Sequence, residues 1–323
     1  MQALWLEDKV LTFRDDIPLP SVLPGSVLVR VRMAGICGTD LELVKGYYSY
    51  RGIVGHEFVG EVVEASGQPS WIGQRVVGEI NIACGTCVAC RSGLRTHCEE
   101  RTVLGITNHD GAFAEYVSLP LENLHRVPKS IPDEAAVFTE PLAAALQIER
   151  QVQIRPTDQV LIVGAGRLGQ LAARVFALTG CDLQIVARHD TQRALLARCN
   201  IATITEDAVP SKKMDVVVEA TGSPTGFELA LQAVRPRGKI VLKSTHRECV
   251  EVNLSSIVVN EITLMGSRCG PFASALRLLA SGAINPSPLI VARYPLSKGL
   301  TAFEHAAQPG VLKVLLEPPF LNT

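Results

Sequence analysis

The sequence predicts an α/β protein of two domains, one rich in β-strands and one built as a doubly wound parallel sheet. Three observations carry this. The first 130 residues break into short strand-like runs separated by Pro and Gly; at Asp158 an apolar run leads into a glycine-rich turn and a helix; from there strands and helices alternate as far as residue 266. A length of 323 residues is ample for two domains with a sizeable core.

In the first part, Val27-Leu-Val-Arg-Val-Arg, Glu61-Val-Val-Glu and Arg75-Val-Val-Gly have strand character, with breaks at Pro24-Gly25, Gly67 and Gly73. Residues 111–117 read as a further strand, and residues 131–146 as a helix entered through Pro132-Asp-Glu. The second part opens with Val160-Leu-Ile-Val, followed by Gly164-Ala-Gly166-Arg167-Leu168-Gly169 and an apolar-faced helix from Gln170 to Thr179. Leu183-Gln-Ile-Val-Ala187 then arrives at the distance a strand–helix–strand unit requires. A dinucleotide pyrophosphate would rest on the amides at the helix start, where the glycines allow close approach. Further strands are expected at 215–219, 239–242 and 261–265, with a helix over 226–234 between the first two. Thr221 and Gly222 lie at a strand's carboxyl end and are expected to line the nicotinamide pocket.

The end of the second strand of this unit decides the cofactor. An NAD-binding chain places an acid there for the ribose hydroxyls; here the strand ends Val186-Ala187-Arg188-His189, and Asp190 comes two residues late. Arg188 can pair bidentately with a 2′-phosphate and Arg193 can add charge, so NADP(H) is favoured over NAD(H). The plainer reading is two solvated surface arginines.

Metal chemistry is suggested twice. Cys84, Cys87, Cys90 and Cys98 can converge on one centre and form the closed shell of a structural zinc; an iron–sulfur cluster is the rival, but its last gap is shorter and a proline follows. Cys37, His56 and Glu57 offer three further ligands among small residues, with Thr39 beside the cysteine. Taken singly, Cys37 and His56 would read as core residues.

The pattern Cys37-Gly-Thr39-Asp40 followed by Gly55-His56-Glu57 resembles the zinc-dependent medium-chain dehydrogenases, the superfamily of alcohol, polyol and threonine dehydrogenases. The later motifs extend the resemblance over nearly the whole chain. It implies a GroES-like catalytic domain, discontinuous over 1–141 and 267–323, around a Rossmann nucleotide-binding domain at 142–266. It implies two zinc ions per chain, the catalytic one held by Cys37 and His56 with Glu57 or Glu140 as the carboxylate. Glu140 falls where alcohol dehydrogenases carry a third thiolate, as in the polyol enzymes. An oxygen ligand in place of sulfur leaves more positive charge on the metal and a stronger Lewis acid. The resemblance also brings Phe113 and Arg268 near the substrate and makes Thr39 a proton relay; Phe113 reads equally as an aromatic in a barrel core, and Arg268 as a residue that holds Glu140 in place. The histidine that many relatives carry three positions after this threonine is replaced by Glu42. Tyr48, with Tyr47 and Tyr50, sits between the zinc ligands and can offer stacking surface and hydroxyls to a polar substrate.

A net charge of −1 and the absence of a basic run argue against nucleic-acid or anionic-membrane partners. No apolar stretch reaches membrane-spanning length and no leader pattern opens the chain, so a soluble, cytoplasmic protein is expected. Nine cysteines, an odd number, fit metal binding in a reducing compartment. The reading is a zinc-dependent NAD(P)(H) oxidoreductase interconverting an alcohol or polyol and its carbonyl, assembled by family resemblance as a homo-oligomer (dimer or tetramer). The alternatives are a zinc-stapled dinucleotide sensor that has lost the chemistry, an NAD-dependent threonine or hydroxy-acid dehydrogenase, and a metal-free quinone or enone reductase.

Overall fold

The computed structural model describes residues 1–245 and 249–319, which form two units: Met1–Glu140 with Phe272–Thr323, and Pro141–Pro271. The first unit begins with β1 (Ala3–Glu7), β2 (Val10–Arg14), β3 (Ser26–Gly35), α1 (Gly38–Val44), β4 (Gly52–Ile53), β5 (Glu57–Glu64), β6 (Arg75–Gly78) and β7 (Asn81–Ile82). Next come α2 (Val88–Arg91), β8 (Thr102–Val103), β9 (Tyr116–Pro120), β10 (Leu124–Arg126) and α3 (Asp133–Ala136). Helix α4 (Thr139–Gln151) leads into the second unit. That unit holds β11 (Gln159–Val163), α5 (Arg167–Ala177), β12 (Asp182–Val186), α6 (Asp190–Ala197), β13 (Ala202–Ile204), β14 (Met214–Glu219), α7 (Pro224–Ala233), β15 (Val234–Leu242), α8 (Leu254–Val259) and β16 (Thr263–Gly266). The chain returns to the first unit with α9 (Phe272–Ala280), β17 (Ile290–Pro295), α10 (Gly299–Ala306) and β18 (Lys313–Glu317).

In the first unit the main sheet runs β10-β6-β5-β3-β18-β17, with β9 also pairing β3. β3 is buried along most of its length because it has strands on both sides. Two register pairs matter for function: Gly35 of β3 lies opposite Glu57 of β5 on one side and Leu315 of β18 on the other. β18 thus stands across β3 from the strand that begins at Glu57.

Two expected elements differ. Residues 111–115 do not form a strand, because their amides are spent elsewhere: Gly111, Ala112 and Phe113 donate to the carbonyls of Ile53, Gly55 and Val54. The helix expected over 131–146 is two helices, α3 and α4, and Pro141 sits in the first turn of the second, where a missing amide costs nothing.

In the second unit six parallel strands follow the order β13-β12-β11-β14-β15-β16. This is the doubly wound order, which reverses between β11 and β14 and opens a crevice at their carboxyl ends. The inner strands are buried on both faces, hence their unbroken Val, Ile and Leu runs. β13, which the sequence reading passed over, is three half-exposed residues at the sheet edge and carries little periodic signal.

Candidate metal centres and dinucleotide loop

β3 ends at Gly35, and two residues later Cys37 stands immediately before α1. Asp40, in the first turn of that helix, accepts the Cys37 amide at 2.8 Å and so fixes the position of the thiol. Its other oxygen lies 3.1 Å from His56 Nδ1, within ion-pair distance though not aligned as a hydrogen bond. His56 is the last residue before β5. The loop delivering it is built from glycines: Gly55 has φ +98°, and a β-carbon there would lie 2.3 Å from the Phe113 ring. A β-carbon on Gly105 or Gly111 would come within 2.4 Å of the Gly55 carbonyl oxygen. Phe113, expected beside the substrate, is instead fully buried, edge-on to Phe303 at 5.8 Å; it packs the metal loop from behind.

The outcome is that ligand atoms of Cys37, His56 and Glu57 lie within 4.8 Å of one another. Glu57 is 1% exposed. One of its oxygens accepts Lys313 Nζ, itself buried, and the other has no hydrogen-bond partner among the described residues. Gly35 makes room for this pair, since a β-carbon on it would sit 2.8 Å from Glu57 Oε2. A sulfur, an imidazole nitrogen and a carboxylate oxygen converging beside buried His56 and Glu57, with one Glu57 oxygen unpartnered among the described residues, fit a zinc ion well. Asp40 behind the histidine supplies the outer carboxylate that such sites use to orient the ring. Burial works against a charged His56, but the Asp40 carboxylate and the Cys37 thiol outweigh it and hold its pKa well above the usual value. A proton and a metal therefore compete for this imidazole.

The other expected site residues of this unit lie outside that converging group. Thr39 Oγ1 lies 3.9 Å from Cys37 Sγ. Glu140, half-buried in the first turn of α4, is not part of the converging group. Tyr48 is exposed and stands edge-on to Tyr47 at 4.4 Å, whereas Tyr50 turns inward and donates to the carbonyl of Ile53 at 2.7 Å. In the second unit Arg268 is exposed just beyond β16, and its carbonyl accepts Lys243 Nζ.

The four remaining candidate ligands also converge. Cys84 and Cys98 sulfurs are 3.5 Å apart and those of Cys87 and Cys98 3.9 Å. A tetrahedral zinc with metal–sulfur bonds of about 2.3 Å would space its sulfurs about 3.8 Å apart. Amides of Thr86 and Cys87 point at the Cys84 sulfur, both at 3.4 Å. The Thr86 hydroxyl and these amides bring the Cys84 thiol down to about 6, while burial and its cysteine neighbours push Cys90 up to about 12. Only a bound cation lets all four ionise together, which is what a structural zinc does.

In the second unit Gly164 has φ +106°, and a β-carbon on it would meet Thr221 Cγ2 at 2.7 Å, so the loops after β11 and β14 touch across the crevice. A β-carbon on Gly169 would lie 1.9 Å from the Gly164 carbonyl oxygen. Gly166 caps α5, and the space a β-carbon would take there is open. Tight turn, open approach and close helix packing, in that order, fit a dinucleotide pyrophosphate over Arg167, Leu168 and Gly169. Opposite, the fully buried Glu219 accepts the amides of Thr221 at 2.6 Å and Gly222 at 3.1 Å, fixing that loop. At the end of β12, Arg188 pairs with Glu206, and Arg193 turns back onto the Ala187 carbonyl at 2.7 Å and onto Asp190.

Asp40 belongs to the Cys37-Gly-Thr39-Asp40 motif, but no sequence pattern gives a role to Asp40, Lys313 or Glu219. Asp40 had a signal, an acid at the third helical position after the cysteine. Lys313 had one too, a cation heading the apolar run Val314-Leu-Leu. Glu219 had only its place before Thr221-Gly222.

Residues 23–129 match the family model of the alcohol dehydrogenase GroES-like domain, and residues 168–281 that of the zinc-binding dehydrogenases. The chain is 33% identical over 316 residues to the L-threonine 3-dehydrogenase of Pyrococcus horikoshii, covering 90% of this chain and 89% of the relative. It is 30% identical to the sorbitol dehydrogenase of Halalkalibacterium halodurans over 324 residues, 93% of this chain and 94% of that one. Among solved structures it is similar to a zinc-binding dehydrogenase from Sinorhizobium meliloti 1021 bound to NADP, with a TM-score of 0.91 at 29% identity and coverage of 98% and 99%.

Proposed function

Since the chain belongs to the zinc-dependent medium-chain dehydrogenases and is an NAD(P)-dependent oxidoreductase of CH–OH groups, we propose that it interconverts a polar alcohol or polyol with its carbonyl and prefers NADP(H). The observation carrying the chemistry is the convergence of Cys37, His56 and Glu57 with a carboxylate oxygen left unpartnered. Cys37, His56 and Glu57 would hold a zinc ion, which would supply a Lewis acid for the substrate oxygen, and a dinucleotide bound at the glycine loop would supply the hydride acceptor or donor. Cys37 and His56 hold the metal. Glu57 offers Oε1 as the oxygen ligand, a better placed candidate than Glu140. Asp40 keeps His56 in its ligating orientation, and the Thr39 hydroxyl carries the substrate proton away. Cys84, Cys87, Cys90 and Cys98 hold a second zinc that stiffens their loop and takes no part in the reaction. Gly164, Gly166 and Gly169 admit the pyrophosphate, and Thr221 and Gly222, held by Glu219, border the nicotinamide.

The substrate class is tested by cofactor turnover against simple alcohols, polyols, hydroxy amino acids and hydroxy acids. The expected result is a kcat/KM for polyols well above that for simple alcohols; equal rates on short alcohols and none on polyols would refute it. Identity to threonine dehydrogenases favours a second reading, a β-hydroxy amino acid as substrate.

The NADP(H) preference rests on Arg188, which stands where an acid would bind the ribose. It is 65% exposed, so its contact with a 2′-phosphate is worth about tenfold in affinity, the low end for a charge-assisted pair. Arg188→Asp is expected to reverse the NADPH/NADH ratio of kcat/KM, measured at one fixed salt concentration. A wild type that already favours NADH would end this reading.

A further inference from the structure

The strand end that faces the adenosine ribose holds more than Arg188. Arg193 is committed to the fold: one terminal nitrogen donates to the carbonyls of Ala187 at 2.7 Å and Arg188 at 3.1 Å, and the other pairs with Asp190. It clamps the turn after β12 and is not poised toward a ligand. Arg188 leans the other way, toward β13. Register pairs Val186 with Ile204, and the Ala187 amide donates to the Ile204 carbonyl at 3.2 Å, so the turn after β13 runs beside the turn after β12. Glu206 opens that turn, and its carboxylate receives Arg188 Nε. Both partners are exposed, Arg188 by 65% and Glu206 by 41%.

A 2′-phosphate seeking Arg188 therefore meets a guanidinium already paired and a carboxylate beside it. Opening the pair costs at most about fivefold in affinity, the upper end of what an exposed ion pair contributes. A dinucleotide lacking that phosphate bears none of this cost, and like-charge crowding between phosphate and carboxylate adds to it. We propose that Glu206 is a specificity-determining residue that competes with the 2′-phosphate for Arg188 and limits the preference for NADP(H). This inference rests on the reading of Arg188 as the phosphate partner.

The experiment measures dissociation constants of NADPH and NADH by nicotinamide fluorescence, without substrate and at fixed salt, for wild type, Glu206→Gln, Arg188→Gln and the double variant. Glu206→Gln is expected to tighten NADPH binding about three- to tenfold and to change NADH by less than about twofold. In the Arg188→Gln background the same substitution should gain less than half as much, because there is no guanidinium left to compete for. If Arg188→Gln weakens NADPH but Glu206→Gln leaves it unchanged or weaker, the competition is overturned and the Arg188 reading stands. Equal gains from Glu206→Gln with and without Arg188 overturn it too, as simple repulsion. If Arg188→Gln leaves NADPH binding unaltered, the Arg188 reading itself fails and the inference falls with it.

Discussion

Alanine at Cys37 or His56 is expected to lower kcat/KM by about 10³-fold or more, while NADPH affinity changes by less than about twofold. The first number follows from removing a metal worth several kcal/mol of transition-state stabilisation, at 1.36 kcal/mol per factor of ten. The second follows from the architecture: Cys37 and His56 belong to the first unit, and the glycine loop to the second. Zinc content should fall from two ions per chain to one, because the four-cysteine site has its own complete ligand set. Steady-state kinetics, fluorescence binding and elemental analysis read the three quantities. Full activity in either variant would sink the assignment of the reaction to this centre, and a wild type with one zinc would sink the two-site reading.

Lys313→Met should produce the largest loss of stability. Both members of the Lys313–Glu57 pair are almost fully buried, and removing the cation leaves Glu57 Oε2 buried without its own counter-charge, which a metal on the other oxygen offsets only in part. Breaking such a pair costs about 3–5 kcal/mol, a fall in melting temperature of roughly 5–15 °C. Adding Glu57→Gln should restore most of the loss, since the charge that made the single variant costly is then gone, although activity will not return if Glu57 serves the metal. Thermal melts of the two single variants and the double one decide this. If Lys313→Met melts like the wild type, the pair does not stabilise the fold.

The parallel sheet was legible because its strands are buried on both faces and its glycines answer to geometry that other residues cannot satisfy: Gly164 by its dihedral angle, Gly169 by contact. The four-cysteine group is readable from spacing, whereas the Cys37–His56–Glu57 group needs the family motif as well, and Glu140, read with it, lies outside the converging atoms. What escaped were residues defined by long-range partners. Phe113 reads equally as a cleft aromatic by resemblance and as a core aromatic, because nothing local shows that Gly55 leaves a hollow for its ring. Residues 111–115 had strand composition, yet their amides bind a loop instead of a ladder. The Arg188–Glu206 pair joins two turns 18 residues apart and has no pattern that a linear reading could detect.

Lys313 and Glu57 are separated by 256 positions. At about 5–20 residues per second, a ribosome that has made Glu57 needs roughly 13–50 s more to reach its counter-charge. Through that interval the nascent β3 lacks its β18 neighbour, and the metal-site carboxylate cannot be buried with its counter-charge. The second unit, contiguous in sequence, can complete its sheet within the same wait. The metal-binding part of this protein is thus begun first and finished last, and the time between is when its open sheet is most exposed to wrong partners.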